Sequence, residues 1–135
     1  MTYYLATRIQ GSIEQAIERV EAALKEEGFG IISRIDIQDA LKTKIGADFR
    51  PYVILGACNP ALAYEALQLE DKVGTMLPCN VVVQDHGDGE VEVAAIDPVA
   101  SMQAIANPRL LEAAGEVRDR LARVVESLGA SQPAL

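Results

Sequence analysis

Along the first ten positions Tyr3, Leu5, Thr7 and Ile9 alternate with Tyr4, Ala6, Arg8 and Gln10, a period of two that predicts a half-buried strand. Gly11 breaks it. Ser12 with Gln15 three positions on is a capping-box pattern, and Ile13, Ile17, Val20 and Leu24 then repeat on one helical stripe up to Gly28, which suits a left-handed cap. Residues 30–37 read as a second strand with Ile31, Ile35 and Ile37 on one face, followed by a short helix over 39–45 that Gly46 stops.

The run Tyr52-Val53-Ile54-Leu55-Gly56-Ala57-Cys58 is apolar on both faces, which predicts an interior strand at the centre of the sheet, covered on both sides or set at a subunit contact. Asn59-Pro60 supplies an N-cap and a first-turn proline for a helix carrying Leu62, Ala63, Ala66 and Leu67, and Asn107-Pro108 repeats the device before the last helix. Strands over 78–84 and 90–96 flank Asp85-His86-Gly87-Asp88-Gly89, whose residues tolerate the positive φ of a hairpin turn, so these two strands should pair antiparallel.

From Leu110 onward Ala114, Val117, Leu121, Val124 and Leu128 hold helical spacing over five turns. Glu116 with Arg120 and Asp119 with Arg123 form i, i+4 pairs on the wet side, and Gly129 reads as the cap. With no repeat, low-complexity tract or long linker, the chain reads as a single domain over 1–130 with 131–135 as a frayed tail.

Composition narrows the classes of function. A chain of 135 residues, 50% apolar and 24% charged, buries roughly two thirds of its unfolded surface and needs no metal or disulfide staple to fold. A net charge of -8 repels phosphate backbones and anionic lipid, so neither nucleic acid nor membrane is expected as a partner. No apolar run reaches the roughly 18 residues a membrane span needs, and the start lacks the basic and apolar regions of a leader, which points to the cytoplasm. Two cysteines are too few for a secreted disulfide framework or for a four-thiolate zinc site within one chain.

Those cysteines carry the main candidate chemistry. Cys58-Asn59-Pro60 closes one strand and Pro78-Cys79-Asn80 opens the next, so the thiols share a sheet edge if the strands are antiparallel and lie roughly 20 Å apart if they are parallel. Beside a helix N-terminus Cys58 would gain thiolate character, the nucleophilic and metal-binding form. The plain alternative is that both thiols are small hydrophobes in a core and Asn59 is only a cap, and packing is the favoured reading of each. Asp48 and Arg50, just ahead of the apolar strand, are binding candidates or, by preference, a surface ion pair. His86, the single histidine, sits in a turn and is discounted as a base. There is no phosphate loop, dinucleotide fingerprint or hydrolase motif.

The stretch from Asp48 through Pro60 and the motif Leu77-Pro78-Cys79-Asn80-Val81-Val82-Val83 resemble the family called domain of unknown function 302. Gly28-Phe29-Gly30, Lys44-Ile45-Gly46, Gly89 and Asp97-Pro98 extend the likeness over nearly the whole chain. The resemblance implies an α+β fold with a mainly antiparallel sheet, in the order strand, helix, four strands, helix, with short inserted helices near Asp39, Pro60 and Val99. It thereby favours neighbouring cysteines, and it implies no activity or cofactor. The leading expectation is a domain that holds a small ligand or a thiophilic metal near Cys58 and Cys79, with Asn59, Asn80, Asp48 and Arg50 as further candidate ligand-binding residues. A thiol-dependent redox or transferase enzyme, with Cys58 as nucleophile and Cys79 resolving it, is the second reading, and a ligand-free assembly module is the third. A homodimer is expected from the doubly apolar strand and from the apolar segment 98–106.

Overall fold

The computed structural model describes residues 2–130. Five strands, β1 (Tyr4–Gln10), β2 (Gly30–Asp36), β3 (Tyr52–Cys58), β4 (Cys79–Asp85) and β5 (Glu90–Ile96), form one sheet in the order β1-β5-β4-β3-β2, and each neighbouring pair is antiparallel. The helices are α1 (Ile13–Glu26), α2 (Ile37–Ile45), α3 (Pro60–Leu69), the single-turn α4 (Pro98–Ser101) and α5 (Pro108–Ala130), with a 3-10 segment at Asp71–Met76. This is the α+β order that the sequence implied. Among the described residues no helix is long and apolar enough to cross a membrane.

Local chemistry sets the ends of the helices. Ser12 Oγ accepts from Gln15 N–H at 3.2 Å while Gln15 Oε1 accepts from Ser12 N–H at 3.0 Å, the reciprocal box that satisfies two donors left open by the first turn. Gly28 follows the end of α1 at φ +85°, a conformation that L side chains rarely adopt. Asn59 and Asn107 cap α3 and α5 by accepting from Leu62 N–H and Leu110 N–H. Gly129 is no cap: α5 runs through it to Ala130, and a Cβ there would stand 3.0 Å from Thr7 Oγ1 on β1. The glycine lets the helix approach the strand closely.

Helices α1 and α5 cover one face of the sheet. The main core joins Val20 and Leu24 of α1 and Leu121 and Val124 of α5 to Val53, Leu55, Val81, Val83, Val91 and Val93, alternate residues of three strands. A smaller second core, Ala66, Val73, Met102, Leu110 and Ala114, lies between α3, the 3-10 segment, the segment after α4 and the start of α5.

Several expectations are corrected. The sheet's centre is β4, with β3 beside it. Strand β3 is covered on one face only: Val53, Leu55 and Ala57 are buried, whereas Tyr52 and Ile54 stay half-exposed on the other. Strand β2 carries a register shift between Ile31 and Ser33. An extra residue in one strand flips the faces that follow it, so Ile31 packs on the core while Ile35, opposite Ile54, is exposed. Ile37 belongs to α2, whose first turn is capped by Asp36. The segment 98–106 is not left in water, because Pro98 and Met102 are buried and Val99 and Ile105 pack on the second core. Arg123 pairs with Glu27 at 2.9 Å rather than with Asp119, while the Glu116–Arg120 pair forms at 3.1 Å. Residues 131–135, read as a tail, lie outside the described residues.

Candidate functional site

Antiparallel pairing of β3 with β4 places the end of one strand beside the start of the other. Ala57 is opposite Cys79 and Gly56 is opposite Asn80, so the two cysteines share one edge of the sheet, the arrangement that permits a joint site. Cys79 points to the core side of β4 and is buried, while Cys58 is half-exposed; both thiols are free. Gly56 permits the crowding here. A Cβ added to it would collide with Ser33 Oγ and lie 2.7 Å from Pro78 Cγ, so only glycine lets the three strands and the proline close up at this edge. The Leu77-Pro78 peptide is cis.

Both thiols line a cavity of about 350 Å³ at the seam between the two cores. Its walls come from Phe29 after α1, the ends of β3 and β4, Leu62, Ala63, Ala66 and Leu67 of α3, Met102 after α4, and Leu110, Ala113, Ala114 and Val117 of α5. Among the described residues, no charged side chain lines it. The one amide, Asn59, has its Oδ1 committed to Leu62 N–H, and its Nδ2 lies 3.0 Å from where a Cβ on Gly28 would stand. Such a surface rewards an apolar occupant and offers no cationic side chain to a phosphate or a carboxylate.

Burial, with a smaller contribution from Cys58, pushes the Cys79 thiol up to about 11 from the ordinary 9.0. The low-dielectric wall disfavours its thiolate, the form that attacks disulfides or binds metal. Among the described residues no group of three or more His, Cys, Asp or Glu side chains is placed to hold a metal ion. One chain therefore offers at most two thiol donors here.

The other candidates separate. Asn80 is exposed and sits opposite Gly56, on the face of the sheet away from α1 and α5. Asp48 and Arg50 precede β3, at the end of that strand opposite Cys58, about 20 Å along a strand of this length. They are not each other's partners. Asp48 accepts from Lys42 Nζ at 2.9 Å, and Arg50 Nε donates to Gln84 Oε1 at 2.9 Å with its guanidinium 4.4 Å from the Phe49 ring centre. Asp48 joins Asp36, Asp39 and Lys42 in a shallow polar hollow beside α2, distinct from the cysteine cavity. His86 lies just past β4, its Nε2 3.2 Å from Glu92 Oε1, and does not approach either cysteine's cavity.

Sequence reasoning found the two thiols and the cap but missed the opposite wall. Ala114 read only as a member of an amphipathic stripe, and Ala113 was not singled out. Small residues on the inner side of a helix were the available signal, since a run of alanines leaves room where larger side chains would close it.

The comparisons agree with this architecture. Residues 5–128 match the family described as domain of unknown function DUF302. The crystal structure of an uncharacterized conserved protein DUF302 from Bacillus stearothermophilus is similar, with a TM-score of 0.88 and 31% identity over 95% of this chain and 99% of that one. No curated protein matches. On its sequence, its strand order and this likeness, the chain belongs to the DUF302 family.

Proposed function

We propose that this protein binds a small neutral apolar molecule in the cavity walled by α3, α5 and the Cys58/Cys79 edge of the sheet. The observation that carries the reading is the lining itself: about 350 Å³ with no charged side chain and a single amide already engaged as a helix cap. Ligand pockets of roughly 300–1,000 Å³ with apolar walls and few polar groups suit such guests. The thiols contribute soft, polarizable surface, and Cys58 at the accessible wall is the one positioned to meet a bound molecule. Two free thiols fit a reducing compartment such as the cytoplasm. The metal reading is weaker, because it needs donors from outside one chain, and the resolving-thiol reading is weaker because Cys79 resists ionisation.

The test is a fluorescence titration with N-phenyl-1-naphthylamine, a neutral probe that brightens on leaving water. Burial of about 250 Å² of apolar probe surface gains roughly 6 kcal/mol, equivalent to a Kd of about 40 μM before association costs, so binding in the range of tens to hundreds of micromolar is expected. Ala114→Phe and Ala63→Phe fill the cavity from opposite walls and should each weaken binding at least about tenfold with the fold retained. Equal binding by wild type and both variants would refute the site.

A further inference from the structure

The face of the sheet opposite α1 and α5 carries no helix among the described residues. Ile54, Val82 and Ala94 occupy its middle half-exposed, with Tyr4 and Ile35 exposed nearer its edges. Helix α2 has no buried residue: its apolar positions Ile37, Ala40 and Leu41 are only half-covered, and Ile45 is 72% exposed. A helix of nine residues is marginal in water unless an apolar face is packed. Both surfaces are therefore short of a partner.

We infer that this open face is the contact between two copies of the chain, packed sheet on sheet about a two-fold axis that runs nearly along β4. The charges choose the occupant. Arg50 has no carboxylate partner among the described residues; Gln84 holds its Nε and passes the chain of contacts to Glu92, whose Oε1 accepts from Gln84 Nε2 at 3.0 Å. Glu92 contacts His86 at 3.2 Å and stands opposite Arg8 in the β1–β5 register, but among the described residues no arginine or lysine lies within ion-pair distance of it. Register aligns Tyr52, Gln84 and Glu92 across β3, β4 and β5, with Arg50 two residues before Tyr52. Rotation about an axis along the central strand lays β3 of one copy over β5 of the other at the same level, bringing each Arg50 toward the partner's Glu92. An isologous contact makes that pair twice.

The sheet alone supplies most of the area, and α2 and Tyr3 must supply the rest. Five strands of seven residues present roughly 24 Å by 24 Å, about 570 Å² of footprint before α2 and Tyr3 are added, against about 800 Å² per partner in a stable interface.

Light scattering on the full chain tests this. Wild type should run at twice the chain mass at about 50 μM. Val82→Arg, at the centre of the face, should be monomeric with an unchanged circular dichroism spectrum. Arg50→Glu and Glu92→Arg should each weaken the dimer at least about tenfold by placing like charges together, and mixing the two variants should restore it, since both cross-pairs are then opposite in sign. A monomeric wild type overturns the proposal. So does a dimer that Val82→Arg leaves intact, or a mixture no more dimeric than its components.

Discussion

Cys79 stands opposite Ala57 in the β3–β4 register, and this single alignment brings the thiol that opens β4 and the thiol that closes β3 to one cavity wall. The two are chemically unequal. Cys58 is half-exposed, whereas Cys79 is 7% exposed and its pKa is pushed up to about 11. At about pH 8 a two-unit rise leaves roughly a hundredth of the thiolate. Iodoacetamide should therefore modify one thiol per native chain quickly and the second about 100-fold more slowly. Peptide mapping should place the fast adduct on Cys58, and Cys58→Ser should abolish the fast phase. Equal rates would show that the β4 thiol is open to solvent.

The same burial couples stability to pH. A thiol is neutral when protonated, and the folded state raises its pKa, so between about 9 and 11 the unfolded chain loses the proton that the folded chain keeps. The stabilisation is complete below about pH 9 and is lost as pH rises toward 11, by about 2–3 kcal/mol. Denaturant melts at pH 8 and pH 11 should show that loss beyond the general alkaline decline, and Cys79→Ala should lack this component.

Gly56 should tolerate no side chain. Its Cβ would meet Ser33 Oγ on β2 and Pro78 Cγ at 2.7 Å beside β4, so Gly56→Ala should cost about 1–3 kcal/mol by overpacking at the edge that shapes the cavity. Thermal melts of the variant check this. A neutral result would mean that the edge relaxes freely.

Where periodicity and capping act locally, the sequence was readable: the Ser12–Gln15 box, the Asn59 and Asn107 caps and the Gly87 and Gly89 hairpin all stand where their residues implied. Long-range placement was not. The bulge at Ile32 reverses the faces of β2, and the glycine that accommodates it, Gly56, stands on β3 opposite Ser33 and so cannot be matched to it from sequence; β3 reads as the centre because apolar residues on its open face look the same as buried ones. Asp48 and Arg50 were grouped by nearness in sequence, yet Lys42 and Gln84 take them separately at the end of β3 remote from the cysteines. The cavity depended on how α3 and α5 pack, which no local pattern encodes.

The central claim is that an apolar molecule occupies the space between α3, α5 and the two cysteines. The most direct measurement is a crystal structure of the reduced protein soaked with N-phenyl-1-naphthylamine. Probe density in contact with Cys58, Leu62 and Ala114 is the expected result. An ordered cavity left without probe at saturating concentration, or density confined to another surface, would contradict the account.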